Sequence, residues 1–242
     1  MEIFLNSETW VALLTLTFLE IVLGIDNIIF ISIVTNKLPK EQQPKARNIG
    51  LLLALVFRVG LLLGLSHIIG MTKPLFTVLE FEVSGRDLVL FIGGLFLIYK
   101  STSEIHHKIE GEEHTEESSN GKKHSFNSII TQIVLLDIVF SFDSILTAIG
   151  LTEHVLIMIT AVIISLFIMM AFSGKIADFI NAHPSLQILA LSFLILIGFM
   201  LVLDAFHNHV PKGYIYFAVA FSLGVEFLNM RFRKKNVRTQ SK

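Results

Sequence analysis

Seven apolar stretches, each close to the length that crosses a lipid bilayer, constrain this chain more than any other feature. About 20 mostly apolar residues in a helix span the hydrocarbon core. Only 16% of the residues are charged and the mean hydropathy is +0.70, so we expect an all-α integral membrane protein. The predicted spans are Trp10 to Thr35, Ile49 to Ile69, Asp87 to Glu104, Phe126 to Leu151, Val155 to Phe172, Leu186 to Phe206 and Tyr214 to Leu228.

Positive residues in the connections predict how the helices cross the membrane. Cytoplasmic loops retain Lys and Arg, and all but four of the 19 Lys and Arg fall on one side if the N-terminus is outside. Lys73, Arg86 and Lys212 fall on the other side, and Arg58 lies midway along the second span. The bias predicts an outside N-terminus and a cytoplasmic C-terminus, which agrees with an odd number of spans.

Cysteine is absent, which excludes disulfides and thiolate metal sites. Any bound metal would have oxygen or imidazole ligands, and such ligands favour hard cations. The net charge of -1 gives no indication of nucleic-acid binding, and we expect no nucleic-acid partner.

An internal repeat relates the first span to the fourth. The first contains LEIVLGIDNII from Leu19 to Ile29, and the fourth contains LDIVFSFDSIL from Leu136 to Leu146. Apolar matches are common in membrane segments, but a recurring pair of carboxylates six residues apart is not. The repeated polar residues are Glu20, Asp26 and Asn27 in the first span, and Asp137, Asp143 and Ser144 in the fourth.

The repeat divides the chain into two halves. Residues 1–102 form a first three-helix repeat, 126–207 a second, and 208–242 a seventh helix with a basic cytoplasmic tail. Between the halves, residues 103–125 are almost free of apolar side chains and predict a flexible cytoplasmic linker, whose Glu and His residues are more typical of a solvated loop than of a metal site. Because each half has an odd number of spans, the halves would be inverted, as in many secondary transporters.

Carboxylates inside a bilayer need compensating charge. Each costs about 2.5 to 3.5 kcal/mol on insertion scales, so four unpaired carboxylates would cost on the order of 10 kcal/mol. Arg58 is a candidate partner, but one guanidinium cannot neutralise four carboxylates. Protons or a bound divalent cation would supply the remaining charge. We therefore take the six repeated polar residues as a candidate metal site; protonated carboxylates that only hydrogen-bond neighbouring helices are the alternative.

Two local geometries fit the repeated motif. On an intact helix, positions six apart differ by about 240° around the axis and about 9 Å along it, so Glu20 and Asp26 would not share a face. A break at Gly24 and at Ser141 would free backbone carbonyls to join the ligands. With intact helices, Asp26 and Asp143 would coordinate the ion, while Glu20 and Asp137 would hold hydrogen bonds or protons. The sequence leaves both geometries open.

A second similarity lies at the ends of the third and sixth spans, which read EIHH and DAFH. Residues three apart on a helix lie on the same side, so each acid and histidine could form an entry or exit site. They fit equally well as interfacial residues that stabilise the helix ends. The candidate gate or access residues are thus Arg58, Glu104, His107, Asp204 and His207.

Four segments together carry a resemblance to the TerC family of bacterial membrane proteins, which was named for tellurium resistance and is related to LysE-type exporters. They are EIVLGIDNIIFIS from Glu20, GRDLVLFIGGLFLIYKSTSEIH from Gly85, DIVFSFDSILTAIG from Asp137 and HVPKGYIYFAVAFSLGVEFLN from His209. The resemblance implies a bacterial inner membrane protein that exports Mn²⁺ as its substrate. It also implies, for some members, metal delivery to exported enzymes or work beside other membrane proteins.

We therefore expect a secondary transporter, coupled to protons or another ion, with the bilayer and a divalent cation as partners. Oxygen-rich sites do not separate Mn²⁺ from Ca²⁺, Mg²⁺ or Zn²⁺. A scaffold or delivery factor that binds the cation without carrying it is the alternative. No ATP-binding motif, HExxH motif or evident nucleophile is present in the sequence, so we do not expect an enzyme.

Overall fold

Long helices account for most of the computed structural model, which describes residues 7–78, 81–110, 125–149, 152 and 154–240. Six of these helices are long and apolar enough to cross a membrane, and a seventh contributes the shorter apolar stretch Phe126–Phe142. They match the seven predicted spans, so the predicted all-α membrane class is confirmed. The elements are α1 Ser7–Thr35, α2 Gln43–Leu63, α3 Leu65–Gly70, β1 Pro74–Val78, β2 Phe81–Ser84, α4 Gly85–Ile109, α5 Phe126–Ile149, α6 Val155–Asn181, α7 Pro184–Ala205 and α8 Lys212–Gln240.

Local signals explain where α2 differs from its prediction. It begins at Gln43 because Pro44 fits the first turn of a helix, where no backbone N–H is needed. It ends before Gly64, and residues 65–70 form the separate helix α3 instead of prolonging the span. The second predicted span is therefore displaced by six residues toward the N-terminus at each end.

Helix α4 also has bounds that the sequence prediction missed. It follows an antiparallel hairpin, β1 with β2, that is not among the predicted elements. Ser84 caps α4 because its hydroxyl accepts a hydrogen bond from the Asp87 backbone N–H at 3.2 Å, while Asp87 accepts one from the Ser84 N–H at 2.9 Å. At its other end α4 continues to Ile109, so the start of the predicted linker is helical. Residues 111–124 of that linker lie outside the described residues.

The two halves of the chain interleave through their helices. α1 packs along α6, α2 along α5 and α6, and α4 along α7. Lys108 near the end of α4 donates a hydrogen bond to Gln187 near the start of α7, whereas Phe91 of α4 contacts Phe206 just after α7. These contacts make α4 and α7 antiparallel.

Small residues permit the close approach of α4 to its neighbours. A Cβ atom on Gly94 would lie 2.5 Å from the carbonyl oxygen of Gly198 in α7, and a Cβ on Gly198 would lie 2.8 Å from the Gly94 oxygen. A Cβ on Gly93 would lie 2.4 Å from Val139 of α5. Since real side chains do not tolerate such distances, these glycines allow the backbones of α4 and α7 to meet.

Burial in this fold is that of a protein in lipid. Large apolar side chains such as Phe18, Phe57, Ile92, Phe167 and Phe217 are more than 40% exposed on the outer surfaces of the helices. Ionisable side chains lie buried between the helices. Because lipid rather than water faces the outside, the exposed apolar surface is stabilising and the buried charges must find partners within the protein.

Both helices that carry the repeated motif are continuous. α1 runs through Gly24 and α5 runs through Ser141 without interruption, so the predicted helix breaks are absent from these two helices. The ligand roles that go with intact helices stay a prediction. Gly24 instead makes room for α6, because a Cβ there would lie 2.2 Å from Met169 Sδ. Ser141 has a polar role that depends on α2.

Candidate functional site

A buried arginine on α2 joins the acidic motifs of the two halves. Arg58 Nη1 donates to Glu20 Oε2 of α1 at 2.5 Å, and Nη2 donates to Asp137 Oδ1 of α5 at 2.8 Å. Its Nε donates to the Ser141 hydroxyl at 2.8 Å. All three charged residues are only 5% to 7% exposed. Arg58 therefore bridges α1 and α5, and the predicted ion pairing with the motif carboxylates is present.

Neutral polar groups complete the surroundings of Asp137. The Ser141 hydroxyl donates to Asp137 Oδ2 at 3.1 Å, and Asn27 Nδ2 lies 3.4 Å from Asp137 Oδ1. Ser144, also buried, donates to the Ser141 carbonyl oxygen at 3.2 Å. The structure thus brings together four of the six predicted site residues around Arg58. The Asn27 and Arg58 contacts to Asp137 join α1 and α2 to α5.

Asp26 and Asp143 complete the predicted set, and their side chains lie outside the described part of the structure. Their backbones belong to α1 and α5, next to Asn27 and Ser144 respectively. Their assignment to the site therefore stays a prediction. Among the side chains that the structure describes, no three His, Asp or Glu are grouped as metal ligands.

The charges of this cluster are unbalanced. If Glu20 and Asp137 are both ionised, Arg58 neutralises one of the two negative charges. A buried ion pair contributes little net stability, but removing one partner of such a pair costs about 3 to 5 kcal/mol because a buried charge is left alone. If both carboxylates are ionised, the cluster therefore favours a proton or a bound cation, and an uncompensated change of charge there is costly.

A cavity of about 60 Å³ lies against this cluster. It is bounded by α1, α2, α5, α7 and α8, and its wall is mainly apolar. Asn27, Ser144 and Arg58 form its polar end, while Asp204 near the end of α7 and Tyr216 of α8 lie along the same wall. The cavity connects the cluster to the end of α7, which the charge bias of the loops predicts to be the outer side.

Glu104 lies at the other end of the molecule and pairs with lysines. It is buried, accepts a hydrogen bond from Lys37 after α1, and lies 3.3 Å from Lys100 Nζ. Burial lowers the pKa of Lys37, and the Glu104 carboxylate opposes that shift. His107 is exposed, whereas Glu104 is buried, and their assignment to an entry or exit site stays a prediction.

A reciprocal amide pair lies beside the contacts of Glu104. Together they form a cluster that we call the inner network, which consists of Asn36, Lys37, Glu104, Asn181 and Gln187. Asn181 Nδ2 donates to Asn36 Oδ1 at 2.7 Å, and Asn36 donates in return to Asn181. Gln187 Nε2 lies 3.4 Å from Asn181 Oδ1. The inner network ties the ends of α1, α4, α6 and α7 together on the predicted cytoplasmic side.

The side chains of Asp204 and His207 contact different residues. Asp204 is buried and binds His209, whose Nδ1 lies 2.9 Å from Asp204 Oδ1. His207, in the left-handed conformation with φ of 60°, lies past the end of α7 with its Nε2 3.2 Å from Asp87 Oδ2. α7 ends at Ala205, and the His207 backbone N–H donates to the Asp204 carbonyl oxygen at 3.0 Å. The assignment of Asp204 and His207 to an entry or exit site stays a prediction.

Several polar residues of these clusters are not among the predicted site residues. Asp87 had a signal in the sequence, since Ser84 and Asp87 have the spacing of a capping box. Ser141 had one too, as the small residue of the second motif. Asn36, Asn181 and Gln187 had none, because their partners are distant along the chain and lie on helices whose relative positions the sequence does not give.

Comparison with known proteins gives a consistent result over the whole chain. Residues 5–241 match the model of the "Integral membrane protein TerC family". The chain is 54% identical to the inner membrane protein YgdQ of Escherichia coli K12, over 96% of each chain. It is 50% identical to a UPF0053 protein of Haemophilus influenzae over 95% of this chain and 96% of that one.

A longer relative contains a segment that is similar to this whole chain. The inner membrane protein YoaE of Escherichia coli K12 is 47% identical over all of this chain, which covers 46% of YoaE. No solved structure matches the chain.

Proposed function

Because the chain belongs to the TerC family of integral membrane proteins, we propose that it is a secondary transporter that exports a divalent metal cation, foremost Mn²⁺. It acts as a transporter rather than an enzyme, in a bacterial inner membrane, with its N-terminus outside and its C-terminus in the cytoplasm. The observation that carries the proposal is the buried acidic cluster of Glu20 and Asp137, which is shared between the two halves and lies against a cavity.

The chemistry of the cluster suits a hard cation. Its side chains offer carboxylate, amide and hydroxyl oxygens from Glu20, Asn27, Asp137 and Ser144. Asp26 and Asp143 would add two carboxylates from the same helices, which gives six oxygen-bearing ligands in all. Mn²⁺, like Mg²⁺ and Ca²⁺, accepts such ligands, and a hard divalent ion would offset the excess negative charge.

The packing of the halves supports transport by alternating access. In the predicted repeat α1 corresponds to α5, and an antiparallel arrangement of these helices fits the contacts, in which Asn27 meets Asp137 while Arg58 joins Glu20 to Ser141. In the same repeat α4 corresponds to α7, and these two helices are antiparallel. Two inverted halves can rock about a central site and expose it to either side of the membrane.

The two sides of the buried acidic cluster, which we call the central cluster, differ in a way that fits one state of such a cycle. On the predicted cytoplasmic side the inner network ties four helix ends together. On the other side the cavity leads from Asn27 and Ser144 to Asp204. We assign this conformation to the outward-directed half of the cycle, with coupling to protons or another ion supplying the driving force.

Flux measurements on purified protein test this proposal. The protein is reconstituted in liposomes, and the movement of Mn²⁺, Ca²⁺, Mg²⁺ and Zn²⁺ is followed under imposed pH and voltage gradients. Saturable Mn²⁺ flux is expected in the native protein and is lost in Asp26→Asn and Asp143→Asn. Asp178→Asn on the exposed surface of α6 is the matched control and keeps native flux.

A second candidate is a membrane factor that binds the metal and supports the metalation of exported proteins. It is favoured by α8, which packs only lightly on α7 and leaves Phe217, Phe221 and Phe227 exposed. Binding of Mn²⁺ without flux under any gradient would reject the transporter and leave this candidate.

A further inference from the structure

Arg58 lies between Glu20 and Asp137, where a cation bound to both of these carboxylates would also lie. Its two terminal nitrogens contact one carboxylate from each half, Glu20 at 2.5 Å and Asp137 at 2.8 Å. Its third nitrogen binds Ser141, which also donates to Asp137. All three nitrogens of the guanidinium therefore contact residues of the two motif segments.

Glu20 Oε2 and Asp137 Oδ1 accept hydrogen bonds from Arg58, so a divalent ion that binds these two oxygens competes with the guanidinium for them. Arg remains charged at every physiological pH, so it cannot vacate these oxygens by losing a proton. A metal ion that binds Glu20 and Asp137 must displace the Arg58 contacts or share the carboxylates against its repulsion. In both cases Arg58 lowers the affinity of the site for a metal ion.

Space for a displaced guanidinium exists beside the cluster. Arg58 lines the cavity of about 60 Å³ that runs toward Asp204. It also borders a smaller cavity of about 10 Å³ together with Asn27, Asp137 and Met169. The side chain is long and flexible, so it can leave the carboxylates without unfolding α2.

We infer that Arg58 is a tethered competitor of the transported cation, which holds Glu20 and Asp137 in the metal-free protein and yields their oxygens when the cation binds. This rests on the proposed function. The competitor weakens metal affinity, so that export begins only when the metal is abundant. It also favours divalent over monovalent ions, because a single positive charge gains little by replacing another.

Mn²⁺ binding to the full-length native protein and to Arg58→Gln, measured by calorimetry in lipid nanodiscs, tests the inference. Arg58→Gln is expected to bind Mn²⁺ about tenfold or more tightly, since a full positive charge is removed from the ligand set. Arg58→Lys keeps the charge and is expected to stay within a few fold of native affinity. Arg231→Gln, an exposed arginine of α8, is the matched control and binds like the native protein. Unchanged or weaker binding by Arg58→Gln would overturn the inference.

A second comparison tests the inference if Arg58→Gln fails to insert into the membrane. That failure could occur because the variant leaves two buried carboxylates without their partner. Glu20→Gln and the double variant Glu20→Gln with Arg58→Gln have the same remaining carboxylates and differ only in the arginine. The double variant is expected to bind Mn²⁺ about tenfold more tightly than the single one. Equal affinities would reject the competitor.

Flux separates this inference from the proposed function. If the native protein moves Mn²⁺ but the loss of Arg58 does not tighten binding, only the competitor is rejected. If the native protein binds Mn²⁺ but moves none, and the loss of Arg58 raises the Mn²⁺ affinity, the transporter is rejected. The inference that Arg58 competes with the cation then applies to a delivery factor. If neither the native protein nor the Arg58 variants bind Mn²⁺, both are rejected.

Discussion

At the scale of single residues, the central cluster depends on side chains that satisfy one another's charges and hydrogen bonds. Arg58 would be costly in a bilayer without Glu20 and Asp137, and each carboxylate would be costly without Arg58. Ser141 stands between them as an acceptor for Arg58 and a donor to Asp137. A small neutral group therefore fixes the orientation of two charged ones.

Ser141→Ala tests this role of the hydroxyl. The change leaves Arg58 Nε without its acceptor in a buried site, and we expect a loss of stability of about 1 to 3 kcal/mol. Thermal unfolding of detergent-solubilised protein measures it as a lower midpoint. Ser192→Ala is the control, because that exposed hydroxyl donates to the Ile188 carbonyl oxygen of its own helix. Equal midpoints for the two variants would mean that Ser141 does not support the cluster.

At the scale of helices, close backbone contact rather than apolar burial alone fixes how α4 meets α7. Lipid is as apolar as the helix surfaces, so helix association in a membrane depends on packing and on interhelical hydrogen bonds. Gly94 and Gly198 provide the packing at the crossing, and the pair of Lys108 with Gln187 adds a hydrogen bond near one end. The contact holds the third helix of one half against the third helix of the other.

Gly94→Ala tests that contact. The added methyl group would meet the Gly198 carbonyl oxygen, which belongs to the backbone and cannot rotate away. We expect a destabilisation of about 1 to 3 kcal/mol, the usual cost of overpacking. The same thermal assay detects it. Gly224→Ala in α8 serves for comparison, since a methyl group there meets no atom within 4 Å and should change little.

At the scale of the whole molecule, the proposed cycle requires the inner ends of the helices to separate. Asn36 at the end of α1 and Asn181 at the end of α6 hydrogen-bond each other in the inner network. Since α1 belongs to the first half and α6 to the second, this pair crosses the boundary that an alternating-access motion would open.

Cross-linking of Asn36→Cys with Asn181→Cys tests that motion on a chain that has no other cysteine. A short, reducible thiol cross-linker should stop Mn²⁺ flux in the double variant, and a reductant should restore it. Each single cysteine variant, treated in the same way, should keep its flux. Flux that persists in the cross-linked protein would show that the inner ends do not separate during transport.

The sequence by itself determined the class of fold, the number of apolar spans and the repeated acidic motif of this protein. These features are local or periodic: runs of apolar residues, and two similar segments in one chain. It also placed Arg58 within the second span and predicted it as a partner of the carboxylates. The membership of the TerC family, which the resemblance predicted, is confirmed by the match over residues 5–241.

Only the tertiary structure decided how the charges pair and which residues join the halves. It showed that α1 and α5 are continuous, that Asp204 binds His209, and that Asn36 meets Asn181. Such contacts depend on the rotation and crossing of helices that are distant in the sequence. The periodicity of an all-round apolar helix carries almost no information about that rotation, because lipid and protein neighbours both accept apolar side chains.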